Sequence, residues 1–149
     1  MIAVDTNILI YAHRTESPWH REALNCVTQL AEGSIPWTIP WSCIHEFFGT
    51  VTHPKVFKPP TPVEIAIEQL NAWQESPSFS PIGEGDSYWP VLRKLIVEGK
   101  VRGPRVHDAR IAAVCLQHQV QELWTVDRDF SQFPSVPRRN PLISKTPGP

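Results

Sequence analysis

A chain of 149 residues is long enough for one domain that buries about two-thirds of the surface its unfolded form exposes, so it needs no disulfide staple. Its three cysteines, Cys26, Cys43 and Cys115, are widely spaced in apolar surroundings and lack the spacing of a zinc or redox motif, and no apolar run approaches the ~18 residues of a membrane span. The net charge of −1 excludes a uniformly basic nucleic-acid binder but hides a division: residues 1–92 carry 4 Lys/Arg against 10 Asp/Glu, and residues 93–149 carry 10 against 5.

The chain opens with the short apolar run IAV, of strand type, which ends at Asp5 before a helical TNILIYA. This start has neither a basic leader nor a small-residue cleavage site, so a cytoplasmic protein is expected. Ser17 and Pro18 supply an N-cap and a first-turn proline for a helix running to Gly33. A strand near Trp37–Ile39 precedes a helix over Trp41–Val51, and Thr61 and Glu64 form a T-x-x-E capping box ahead of IAIEQLNAW. SFSPI near residue 80 reads as a strand. A helix from about Asp86 to Glu98 tolerates Pro90 near its start, and another spans about Val106 to Gln119. LWTV near 124 and LIS near 143 are the last strand-type segments. Sixteen prolines, about twice the ordinary frequency, punctuate these elements without forming a low-complexity tract.

Strands and helices alternate, which predicts an α/β domain with a mainly parallel central sheet of about five strands covered on both faces, because parallel neighbours need helical crossovers. A single domain over residues 1–143 is expected, followed by a flexible tail over 144–149.

In open α/β sheets ligands bind beyond the carboxyl ends of the strands. Asp5 follows IAV and Asp127 follows LWTV, so both side chains reach the same rim if those strands are parallel neighbours. Asp108 falls in the first turn of its helix, and Glu46 lies in the apolar IHEFF. Each has an ordinary structural reading: helix capping for Asp5, a favourable helix-dipole position for Asp108, surface exposure for Glu46, and turn formation for Asp127 and Asp129. Asp129 fits a turn cap better than a metal ligand.

Together the four acids carry more. VDTNILIYA at 4–12, IHEFF at 44–48, HDARIAA at 107–113 and TVDRDF at 125–130 resemble, in order, the four acidic motifs of the PIN-domain ribonucleases, most closely the VapC toxins of type II toxin–antitoxin pairs. The resemblance covers Val4 to Phe130. It implies a PIN-like three-layer α/β/α fold, an acidic pocket of Asp5, Glu46, Asp108 and Asp127, and direct metal ligation by Asp5 and Asp108. Thr6, Asn7 and Thr125 would be supporting polar groups. It further implies an RNA substrate, a small cognate antitoxin that blocks the pocket, and a homodimer.

Physical chemistry points the same way. Carboxylates about 4 Å apart repel by roughly 4 kcal/mol per pair at an effective dielectric near 20, so their joint ionisation needs a cation. Oxygen ligands without a Cys or His cluster favour Mg²⁺, or Mn²⁺, over zinc. The expected chemistry is phosphodiester hydrolysis by a metal-activated water, with Glu46 or Asp127 positioning that water or a second ion; the resemblance, not the spacing, implies that the substrate is single-stranded or loop RNA. Arg110 and the basic stretch from Arg93 to Arg105 are candidates for phosphate contacts. A haloacid-dehalogenase-type phosphatase would need an acid where Asn7 stands, and a non-catalytic PIN-like binding module would not need all four acids intact. The six tryptophans read as core or interface residues rather than base-stacking platforms.

Overall fold

The computed structural model describes residues 1–143, and the tail expected over 144–149 lies outside them. Among the described residues no helix is long and apolar enough to cross a membrane. Four strands form one sheet: β1 (Ile2–Val4), β2 (Trp37–Thr38), β3 (Glu122–Trp124) and β4 (Arg138–Arg139), in the order β2-β1-β3-β4 with every pairing parallel. Six helices flank it: α1 (Thr6–His13), α2 (His20–Glu32), α3 (Trp41–Val51), α4 (Val63–Gln74), α5 (Tyr88–Gly99) and α6 (Val106–Gln117). α1 packs on α2 and α3, and α5 on α6.

β1 and β3, whose paired residues lie 120 apart in the chain, are central, with Ala3, Val4, Leu123 and Trp124 buried as parallel strands between helices require. Their register pairs Val4 with Trp124, so the two chains leave the sheet side by side at one rim. Phe47 of α3 is fully buried and meets Trp73 of α4 edge to face at 5.1 Å between centroids, which fixes α3 against the core.

Several local expectations give way to tertiary contacts. SFSPI is a bridged segment rather than a full strand, touching the sheet edge only through the Trp37–Phe79 and Pro40–Ile82 pairs, so the strands number four rather than about five. The edge strand is not LIS but Arg138–Arg139. Arg139 C=O accepts from Thr125 N–H at 3.0 Å, whereas Asn140 Oδ1 caps Leu142 N–H in a turn and Pro141 has no N–H to donate. Ser17 bonds the N–H of Trp19 three residues before α2 begins at His20, and does not cap the helix. Thr61 forms no capping box: its hydroxyl accepts from Arg14 Nη1 at 3.0 Å and faces His13 Nε2 at 3.1 Å, and α4 starts behind Pro62 without a side-chain cap.

Candidate active site

The four carboxylates arrive on four separate elements. Asp5 is the residue that ends β1 and caps α1, and its backbone N–H still bonds Trp124 C=O at 2.9 Å, so the β1–β3 ladder runs to the edge of the site. It is only 5% exposed. Its Oδ1 accepts from Thr6 N–H at 2.8 Å and its Oδ2 from the Thr125 hydroxyl at 2.7 Å, with the Cys43 thiol of α3 3.8 Å from Oδ1. The Thr125 hydroxyl in turn accepts from Asp127 N–H at 3.0 Å. The capping role weighed for Asp5 in the sequence is thus the one its Thr6 N–H bond makes.

Beyond β3, Asp127 caps a short 3₁₀ turn (Arg128–Gln132) by accepting from Asp129 N–H at 2.8 Å. The turn-capping role expected of Asp129 thus falls to Asp127, and the Asp129 carboxylate instead faces the site. Asp108, in the first turn of α6, completes a group: ligand oxygens of Asp108, Asp127 and Asp129 lie within 4.8 Å of one another. Asp5 is not in that closest set. Its link to the others is electrostatic, as is that of Glu46.

Burial, and then the neighbouring charges, set the direction in which each of these acids is shifted. Burial raises Asp5 from 3.8 to about 6; the Thr125 and Thr6 hydrogen bonds pull it down, and the charges of Glu46 and Asp127 push it up. Asp108 is raised first by desolvation, then by Asp127, Asp5 and Asp129, with Arg105 opposing. Desolvation also raises Glu46, reinforced by Asp108 and Asp127. Glu46 nevertheless sits on the exposed face of α3, not buried among apolar neighbours as the IHEFF context suggested. The apolar residues around it point to the core from the other side of the helix.

Among the supporting residues, Thr6 is buried, and its Oγ1 lies near Glu46 without a well-formed hydrogen bond to any group of the described chain. Asn7 is exposed at the start of α1. Thr125 is the most connected, joining Asp5 to Asp127.

The cations are less free than the sequence suggested. Arg110 forms an ion pair with Glu84, and Arg105 lies 3.7 Å from Asp108 and 3.8 Å from Asp129, where it offsets the acids rather than reaching outward. Lys94 lies 3.9 Å from Glu98 one helical turn away. Arg110 still lines an open pocket of about 500 Å³ with His45, Glu46, His107 and Asp108. His107, whose neighbour Asp108 in the sequence already offers it an approach to substrate, lies in this lining, and so does His45, which carries no ligand-like pattern in the sequence. Asp129 could have been found from its D-x-D spacing, since two residues along a turn return to the same side.

An oxygen-only donor set of three clustered carboxylates, with two more coupled to it, fits a hard divalent cation. Among the described residues no cysteine or histidine joins that set.

A family model described as PIN domain matches residues 2–136. The chain is 30% identical over 138 residues to Ribonuclease VapC48 of Mycobacterium tuberculosis (strain CDC 1551 / Oshkosh), covering 93% of this chain and 95% of that protein. It is 30% identical over 146 residues to VapC ribonuclease Mb2897 of Mycobacterium bovis, covering 98% and 99%. A toxin-antitoxin complex from Klebsiella pneumoniae contains a chain with the same fold, at a TM-score of 0.63, 20% identity, and coverage of 95% and 98%.

Proposed function

This chain belongs to the PIN-domain family, in its VapC branch, and from that premise we propose that it is a divalent-metal-dependent endoribonuclease acting as the toxin of a type II toxin–antitoxin pair. The observation that carries the proposal is the cluster of Asp108, Asp127 and Asp129 oxygens within 4.8 Å of one another beside the end of β1, where the Thr125 hydroxyl bonds Asp5 and accepts from Asp127 N–H. VapC48 and Mb2897 are named as ribonucleases, which supports RNA as the substrate.

Asp5 and Asp108 would hold Mg²⁺ or Mn²⁺, as the family resemblance implies, with Asp127 and Asp129 clustered beside Asp108. A cation there would offset the carboxylate charge, acidify a coordinated water and draw charge from a phosphoryl oxygen. Asp5 is fixed by hydrogen bonds from Thr6 N–H and the Thr125 hydroxyl, so its carboxylate is set before ligand arrives. Glu46, at the open pocket, takes one proton of the attacking water as the water oxygen bonds phosphorus, and the P–O bond in line with it breaks, its leaving oxygen taking a proton from solvent to become a hydroxyl. Arg105 restrains Asp108 and Asp129, while Arg110, held by Glu84, meets a phosphate in the same pocket.

The protein works as a cytoplasmic homodimer, and its antitoxin covers the acidic rim. The comparison with the Klebsiella pneumoniae complex supports such a partner. Residues 1–143 act as one nuclease domain.

Incubation of the purified chain with single-stranded RNA, in Mg²⁺, Mn²⁺ or EDTA, tests the proposal. Cleavage should require the divalent ion and fall at least about 100-fold in Asp108→Asn, whose fold is retained. Hydrolysis of small phosphomonoesters instead would favour a phosphatase, and absence of turnover with every ion would favour a binding module.

A further inference from the structure

A second pocket of about 500 Å³ includes Asp127 in its wall and shares no lining residue with the pocket of His45, His107 and Arg110. Tyr11 of α1, Trp19 just ahead of α2, Asp127 and Arg128 beyond β3, Arg138 of β4 and Asn140 line it. Asp127 therefore belongs to both the carboxylate cluster and this wall, which puts the pocket next to the reacting phosphate of the proposed ribonuclease.

The lining is unusual for a surface that only needs to be soluble. Trp19 is 44% exposed although tryptophan is normally well buried. Arg139 is held in place, donating to Glu122 Oε1 at 2.9 Å with its guanidinium 5.1 Å from the Trp124 ring centroid. Arg128 and Arg138, by contrast, are exposed and form no ion pair among the described residues. Asn140 spends its Oδ1 on Leu142 N–H at 3.0 Å, leaving its amide N–H groups as donors. The pocket thus offers an aromatic face, two uncommitted guanidinium groups and an amide donor, and its volume suits a ligand of nucleotide size.

We propose that this pocket is a nucleotide subsite, in which an unpaired base of the RNA stacks on Trp19 while Arg128 and Arg138 hold a flanking phosphate. The inference rests on the ribonuclease reading and adds to it the path of the strand. From the acids the RNA runs over Asp127 into this pocket on one side, and past Arg110 on the other. Stacking requires a base freed from its helix, so the subsite selects single-stranded or looped RNA. A duplex, whose bases are stacked on each other, cannot fill it.

Binding of a fluorescently labelled single-stranded RNA octamer to the Asp108→Asn chain, measured by anisotropy in Mg²⁺ across a salt series, tests this without turnover. Trp19→Ala should weaken binding between about 5- and 150-fold with the salt slope unchanged, and Trp19→Phe should recover most of it. Arg138→Ala should lower the magnitude of the slope of log Kd against log salt by about 0.7, the value of one single-strand phosphate contact. Exposure of both side chains keeps the variants folded, which thermal melts verify. Trp19→Ala and Arg138→Ala chains that bind the octamer like their parent, while the unsubstituted chain cleaves RNA, would overturn the subsite and leave the nuclease standing. A parent that neither cleaves nor binds RNA overturns both. Unchanged RNA binding combined with loss of antitoxin binding in Trp19→Ala assigns the pocket to the protein partner and likewise overturns the proposal.

Discussion

Replacing Asp5 by Asn should abolish RNA cleavage and, in the absence of divalent ions, stabilise the protein at neutral pH. Asp5 is 5% exposed, and its pKa of about 6 stands above the ordinary 3.8. A carboxyl group whose folded pKa is raised binds its proton more tightly in the folded chain. Ionisation therefore costs stability as pH rises from about 4 through 6, reaching about 3 kcal/mol above pH 7 and vanishing below pH 4. Asparagine keeps an oxygen for Thr6 N–H but presents an amide to the Thr125 hydroxyl, which must turn to accept, and about 1 kcal/mol is lost in that exchange. The net gain of about 2 kcal/mol at pH 8 corresponds to roughly 5 °C in Tm for a chain of this length. Urea denaturation of both proteins in EDTA, from pH 4 to pH 8, measures the difference directly. Mg²⁺ at 100 times its Kd should then restore about 2.7 kcal/mol to the parent and much less to the variant. A stability difference that stays flat across this range, or an Asp5→Asn chain less stable than its parent at pH 8, would refute the burial argument.

Two further substitutions probe buried hydroxyl groups. Thr125→Val removes the donor to Asp5 Oδ2 and the acceptor of Asp127 N–H, so Asp5 should titrate higher still, the acid limb of the pH–rate profile should move to higher pH, and about 2 kcal/mol of stability should be lost at neutral pH. Thr38→Val tests a different defect. Thr38 is fully buried in β2 and its Oγ1 has no hydrogen-bond partner among the described residues, so the methyl group should stabilise the fold by about 1 kcal/mol at every pH, read from urea midpoints.

The sequence made the parallel sheet and its acidic rim legible because the signals are local and strong. Apolar runs such as IAV and LWTV, each closed by an Asp, require burial on both faces and place a carboxylate where the strand ends. The edge strand was not legible in the same way: Arg138–Arg139 is polar and two residues long, and only its pairing with Leu123 and Trp124 defines it. Likewise the T-x-x-E pattern at Thr61 is a sound local signal that loses to Arg14 and His13, brought in from α1 and the turn after it.

By itself the sequence determined the order of elements and their parallel arrangement, since periodicity and residue type fix which face of each element seeks the core; the four motif acids were read from the family resemblance. Only the tertiary structure decided that Glu46 is exposed, that Asp129 joins Asp108 and Asp127, that Arg105 and Arg110 are already paired, and that Trp19 and Arg138, more than a hundred residues apart, line one pocket. A side chain's type states which interactions it can make. Which partner occupies it depends on distances of a few ångströms between segments far apart in the chain, and chain closure around the core sets those distances.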